Sequence, residues 1–282
     1  TGKTSVSASL FALAGQAAIA DCDVDAADLH LVLNPEIRQQ HAFSGGSTAI
    51  VLPERCTSCG ICAEHCRFDA IGPAFDAPTY VVNPIACEGC GVCELVCTER
   101  AIEMPARING KWFISETAYG PMVHARLGIA QENSGKLVSL VRKEAKAVAQ
   151  RTKKSLLISD GSPGIGCPVI ASISGASLVL VVTEPTLSGL HDLERVVALT
   201  RQFRVRAVVG INKADIHEPM ARRLEDRAKE LGLPVVGKIR YDDAVTRAQV
   251  QRIPVVLGPD SAAAQDIRAM WETLQPLLFE AS

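Results

Sequence analysis

Apolar residues along this chain fall into two kinds of run that alternate. Short unbroken runs at 17–20, 156–159, 177–185, 206–211, 233–239 and 253–257 have the look of strands buried on both faces. Before, between and after them the chain reads as helix at 4–13, about 135–150, 189–202 and 265–279, with an amphipathic apolar stripe in the second and last. In the last of these the apolar stripe is Ile267, Trp271, Leu274 and Leu278. Strands alternating with helices predict an α/β fold, a mainly parallel sheet with helices on both faces. The alternation breaks between residues 47 and 106. Turn signals at Asn34-Pro35 and Ser44-Gly45-Gly46 lead to a short strand at 48–52, and Asn109-Gly110 at the centre of 107–114 predicts a hairpin.

The break contains CTSCGICAEHC at 56–66 and CEGCGVCELVC at 87–97, each with the spacing C-x2-C-x2-C-x3-C. The repeat extends past the cysteines: Pro53 and Pro84, Gly60 and Gly91, and Ala70-Ile71 and Ala101-Ile102 recur at the same offset. The spacing resembles that of a bacterial-type ferredoxin, in which three thiolates of a run hold one [4Fe–4S] cube and the fourth reaches across to the other. This implies Cys56, Cys59, Cys62 and Cys97 for one cluster and Cys87, Cys90, Cys93 and Cys66 for its twin. A zinc site favours paired C-x2-C knuckles, and a disulfide framework belongs to an oxidising compartment, so both alternatives fit less well. Arg67 and Thr98 stand where a proline commonly follows the fourth cysteine.

A second set of motifs concerns phosphate. Thr1-Gly2-Lys3-Thr4-Ser5, followed by a predicted helix, has the form of the second half of a P-loop: backbone amides cradle phosphate, Lys3 reaches the β/γ-phosphates and Thr4 meets Mg2+. Three residues are weak evidence alone. Acidic residues just past the strand at 17–20, in DCDVDAADL, lie where α/β sheets bind ligands, and Asp23 is the candidate to orient or deprotonate an attacking water. A solvated acidic turn is the alternative. The strand at 156–159 delivers Asp160, a second candidate Mg2+ holder, ahead of Gly164, whose amide is placed to sense a γ-phosphate. Asn212-Lys213-Ala214-Asp215 resembles the N-K-x-D element, in which Asn212 and Asp215 would read a purine edge.

Taken together, these residues resemble the P-loop ATPases of the MinD superfamily that carry an inserted two-cluster ferredoxin domain, a group related to nitrogenase iron protein and the Mrp-type iron–sulfur carriers. The matching positions are Thr1–Thr4, 21–29, the eight cysteines, 160–164 and 212–215. The resemblance implies a P-loop NTPase domain at 1–46 and 107–282, interrupted by a small α+β ferredoxin domain at 47–106. It also implies two [4Fe–4S] clusters, ATP and Mg2+ as cofactors, and a nucleotide-dependent homodimer. The family's signature lysine and first strand are expected among residues before Thr1, and Asp28 stands where the family often has Asn. Cys167 lies seven residues past Asp160, as a cluster-bridging cysteine does in nitrogenase iron protein; a buried structural thiol is the expected role.

Composition narrows the partners. A net charge of −2 over 282 residues gives no general attraction to nucleic acid or anionic membrane. No apolar run approaches the ~18 residues of a membrane span. Ten cysteines, eight of them in the two runs, point to a reducing, cytoplasmic setting. Lysines and arginines from Arg142 to Lys154 are read as the solvated face of a helix, and Cys22 as a small buried hydrophobe. The function implied is a MgATP-hydrolysing protein that passes electrons through its clusters to a redox partner. The alternative is an ATP-dependent assembly or carrier protein acting on a metalloprotein client.

Overall fold

The structure is a computed structural model, and it describes residues 1–128 and 134–279. In chain order it opens with α1 (Lys3–Ala14), β1 (Ala17–Asp21), α2 (Leu29–Leu33) and β2 (Glu36–Ser47). Next come β3 (Ile50–Val51), α3 (Ile61–Glu64), β4 (Ile71–Pro73), β5 (Tyr80–Val82), α4 (Val92–Val96) and β6 (Ile102–Glu103). The chain continues through β7 (Ala106–Thr117), β8 (Gly120–Leu127), α5 (Ser134–Arg151), β9 (Leu156–Asp160) and α6 (Cys167–Ile173). It ends with β10 (Leu178–Thr183), α7 (Leu187–Gln202), β11 (Arg206–Asn212), α8 (Glu218–Glu230), β12 (Val235–Ile239), α9 (Ala244–Val250) and α10 (Ala262–Phe279). Two compact units result, one built from Thr1–Gln40, Trp112–Arg126 and the chain from Ser134 onward, the other from His41–Lys111. The second unit is wider than the predicted insert at 47–106, because β2 and β7 run on past those limits.

In the first unit β1 pairs in parallel with both β8 and β9, and β11 with both β10 and β12. Apolar side chains explain why helices cover both faces. Val6 and Leu10 of α1 and Ile267, Met270, Trp271 and Leu274 of α10 pack on Val208, Val236 and Ile239. Leu190, Leu193 and Val197 of α7 and Leu224 of α8 cover Val209 and Ile211. The helix at the chain's end thus spends its apolar stripe on the sheet. Among the described residues no helix is long and apolar enough to cross a membrane.

Several sequence expectations change. Among the described residues, beside the two-stranded pairs β3-β6 and β4-β5, the α/β strands fall into two hydrogen-bonded sheets, β2-β7-β8-β1-β9 and β10-β11-β12, where one was expected. The two still share a core, with Leu156 and Ile158 of β9 and Leu178 and Leu180 of β10 packed against the same cluster. The hairpin expected at 107–114 is a continuous strand, and the turn lies later, at Ala118-Tyr119. Asn109 is buried and its Oδ1 accepts from the Gly45 amide at 2.8 Å, so a long-range bond takes the side chain that a local turn would use. Gly45 and Gly46 likewise lie inside β2 rather than in a turn. The run at 253–257 is a single 3-10 turn, Val255–Leu257, after Pro254, which has no amide to give a ladder. Arg142 is not on a solvated face: its guanidinium donates to the carbonyls of Ala171 and Ser174 at 2.7 and 2.6 Å and ties down the end of α6.

His124 of β8 is buried, stacked on Phe113 at 4.9 Å and 2.8 Å from the Ser115 hydroxyl through Nε2. Burial, reinforced by His30 and Arg126, pulls its imidazole down from 6.5 to about 4. The unfolded chain therefore takes up this proton first as pH falls. The stability that neutral His124 contributes is complete above pH 6.5 and lost towards about pH 4. The loss amounts to about 3 kcal/mol. Urea unfolding of the wild type and of His124→Phe should differ by a constant above pH 6.5 and move against the wild type by that amount below it. A pH-independent difference would show that His124 titrates normally.

Candidate functional site

The residues read as nucleotide-binding converge at the carboxyl ends of the parallel strands, where α/β sheets hold ligands. The register sets the geometry: β1 and β9 pair from Ala17↔Leu156 to Asp21↔Asp160, which brings two aspartates side by side. Both are buried. The Asp160 Oδ1 accepts from the Ser7 hydroxyl at 2.8 Å, and the Thr4 hydroxyl also bonds this carboxylate. Asp21 Oδ1 accepts from the Asp23 amide at 3.2 Å, while Asp21 Oδ2 has no hydrogen-bond partner among the described residues.

Electrostatics at this corner are unbalanced towards negative charge. Burial pushes the Asp160 carboxyl above its usual range, opposed by Ser7, Thr4 and Lys3. Asp21 is pushed up further, by burial first and by the neighbouring Asp160 second. Asp23 is half-buried and raised by that burial, with the Lys3 ammonium opposing it. Lys3, Thr4, Asp23 and Asp160, predicted from three separate motifs, therefore lie within reach of one another. A hydrated Mg2+ fits this donor set: Thr4 and Asp160 supply oxygens, and a water of its shell would satisfy the orphaned Asp21 Oδ2.

Gly2 opens α1 in the left-handed region at φ 82°, and a Cβ there would stand 2.4 Å from Asn212 Nδ2. That nitrogen donates to the Thr1 carbonyl at 2.8 Å, so Asn212 braces the loop turn directly. Asp215 Oδ1 accepts from the Tyr241 amide at 2.7 Å, and Lys213 reaches Glu184 at 3.3 Å, which anchors this loop to the ends of β12 and β10. Ser5 is turned inward, its hydroxyl accepting from Gln249 Nε2 at 2.9 Å. Gly164 lies in an exposed loop after β9, at φ 87°. Cys22 is buried as expected, whereas Cys167 is exposed at the start of α6, contrary to the structural-thiol reading. Sequence reasoning read Asp21 only as a neighbour of Asp23 that could meet Mg2+ through water, and missed Ser7. Ser7 lies three residues after Thr4, on the same helical face, which is a usable signal.

In the second unit the cysteine repeat is also a backbone repeat. Ser58 and Gly89, Gly60 and Gly91, and Asp69 and Arg100 have positive φ at matching places. The Ala70 amide donates to Cys66 Sγ at 3.4 Å and the Ala101 amide to Cys97 Sγ at 3.3 Å. β4 pairs with β5 through Ile71↔Val82, as β3 pairs with β6 through Val51↔Ile102. Each half frames a hollow: Cys56, Cys59, Cys62 and Cys97 line one, and Cys66, Cys87, Cys90 and Cys93 the other. Among the described residues no group of three or more His, Cys, Asp or Glu side chains is gathered to hold one metal ion.

The family described as the CobQ/CobB/MinD/ParA nucleotide binding domain matches residues 1–255. An uncharacterized protein of Methanocaldococcus jannaschii is 35% identical over 217 residues, 75% of this chain and 74% of its own length. Among solved structures, the cell division ATPase MinD of Pyrococcus furiosus has a similar fold, with TM-score 0.58 at 18% identity, over 98% of this chain and 94% of that one. So has the septum site-determining protein MinD of Pyrococcus horikoshii, complexed with Mg-ADP, with TM-score 0.58 at 16% identity over 100% and 93%.

Replacing Asp21 by Asn removes one charge from a buried like-charged pair. The nucleotide-free protein should gain roughly 1–3 kcal/mol in urea unfolding. Its Mg2+-dependent affinity for nucleotide should fall. A destabilised Asp21→Asn protein would mean that the carboxylate is held by contacts stronger than the repulsion.

Proposed function

The chain belongs to the CobQ/CobB/MinD/ParA nucleotide-binding family, and from that premise we propose that it binds and hydrolyses MgATP and couples nucleotide state to electron transfer through two [4Fe–4S] clusters. The observation that carries the iron–sulfur half is the sorting of eight cysteines into two hollows of four, with Cys66 and Cys97 exchanged between the runs. The Mg-ADP complex of the Pyrococcus horikoshii relative supports the nucleotide half.

Each residue then has a task. The amides at the start of α1 face phosphate, and Lys3 offsets its charge. Thr4 and Asp160 would hold Mg2+, and Asp21 would offer a second carboxylate beside it. Asp23, half-buried and drawn towards protonation, orients the attacking water and takes up its proton. Asn212 and Asp215 border the base. Clusters bound in the hollows supply one-electron redox chemistry, and the eight cysteines would hold them. A nucleotide-dependent homodimer, a redox partner and a cytoplasmic setting complete the proposal.

A second reading, an ATP-dependent carrier that delivers clusters to a metalloprotein client, is favoured by one observation: Cys59 and Cys90 are exposed, so each hollow has a ligand within reach of a partner. Anaerobic reconstitution should load roughly eight irons and as many sulfides per chain, four to each cube. An EPR-monitored redox titration should then show a MgATP-dependent shift that Lys3→Ala abolishes. Potentials indifferent to MgATP, together with transfer of iron to an apo-ferredoxin, would favour the carrier.

A further inference from the structure

The two hollows correspond at many positions, and the mismatches are chemical. The 31-residue offset carries Cys56 to Cys87, Cys97 back to Cys66, Ile61 to Val92 and Ile102 back to Ile71 in the two linings. Glutamates do not separate the hollows, since Glu99 lines one and Glu88 the other and both are exposed. The linings differ at several places: Phe68 stands where the offset places Glu99, Thr57 where it places Glu88, His65 and Met104 line the Cys87 hollow, and Tyr80 lines the Cys56 hollow where the offset places Ala49 in the other.

The Tyr80 hydroxyl is directed at the ligand loop. A Cβ built on Gly60, between Cys59 and Cys62, would meet Tyr80 Oη at 2.9 Å, so the hydroxyl lies against the backbone of that loop. Gly91, the matching residue, has nothing within 4 Å of the same point. A cluster becomes more negative on reduction, so an O–H dipole held in its hollow stabilises the reduced form and raises the potential.

We propose that the two cluster sites are inequivalent and that Tyr80 raises the potential of the site formed by Cys56, Cys59, Cys62 and Cys97, with no counterpart at the other. This rests on the iron–sulfur reading above. Tyr80 acts here as a tuning residue, through its hydroxyl dipole, and transfers nothing itself.

The test is an anaerobic EPR redox titration of the reconstituted full chain beside Tyr80→Phe, which keeps the ring and removes only the hydroxyl, and Tyr80→Ala, which copies Ala49. Iron and sulfide are assayed on every sample. The expected result is full loading, two one-electron waves, and a downward shift of one wave alone in Tyr80→Phe. That wave should be the one whose signal Cys59→Ser alters. A tenfold change in the reduced fraction at fixed potential corresponds to about 59 mV. Loaded clusters whose waves both stay, both move alike, or move only at the site that Cys59→Ser spares would overturn the inference alone. Failure of the wild type to load iron would overturn the iron–sulfur reading and this inference with it.

Discussion

Two carboxylates, Asp21 and Asp160, are buried side by side because β1 and β9 run parallel in register to their last residues. Uncompensated, such a pair is costly, since burial and like charge both disfavour ionisation. Part of the compensation is internal: the Ser7 and Thr4 hydroxyls bond Asp160, and the Lys3 ammonium lies close to it. Among the described residues Asp21 Oδ2 has no hydrogen-bond partner. The elements that meet here, the start of α1 and the ends of β1 and β9, are thus held in a state that a bound cation and phosphate would relieve. Ligand binding and local stability are coupled at this corner by charge alone.

The cysteine unit follows a different constraint. Its short elements bury little, and its apolar cluster includes the cysteines themselves, Cys62 and Cys93 at its centre and Cys66, Cys87 and Cys97 packed against it. Its order comes from repetition: left-handed residues, amide-to-sulfur bonds and two-residue strand pairings recur in each half. β2 and β7 are neighbours in the five-stranded sheet.

Errors in reading the sequence share a cause. Asn109-Gly110, Ser44-Gly45-Gly46 and the run at 253–257 all have strong local signals, yet each was decided by a distant partner or a missing amide: Gly45 claims Asn109, and Pro254 cannot extend a ladder. Arg142 was placed on a solvated face by its neighbours in sequence, while the carbonyls it binds belong to α6, about thirty residues on.

The sequence by itself determined what depends on spacing. The strands β1, β9, β10 and β11 and the helices α1, α7 and α10 were legible because unbroken apolar runs, helical spacing and the residues that bound them are carried by each segment itself. So were Lys3, Thr4, Asp23, Asp160 and the cysteine runs, because ligand geometry restricts which residues can stand a few positions apart. Tertiary structure alone decided what depends on register between segments far apart in the chain: Asp21 beside Asp160, Asn212 on the Thr1 carbonyl, Ser7 on Asp160, and Tyr80 over the Cys56 loop with Ala49 at its twin. A period can be read from one segment. A register exists only once two segments have chosen each other, and that choice is made by the packing of the whole unit.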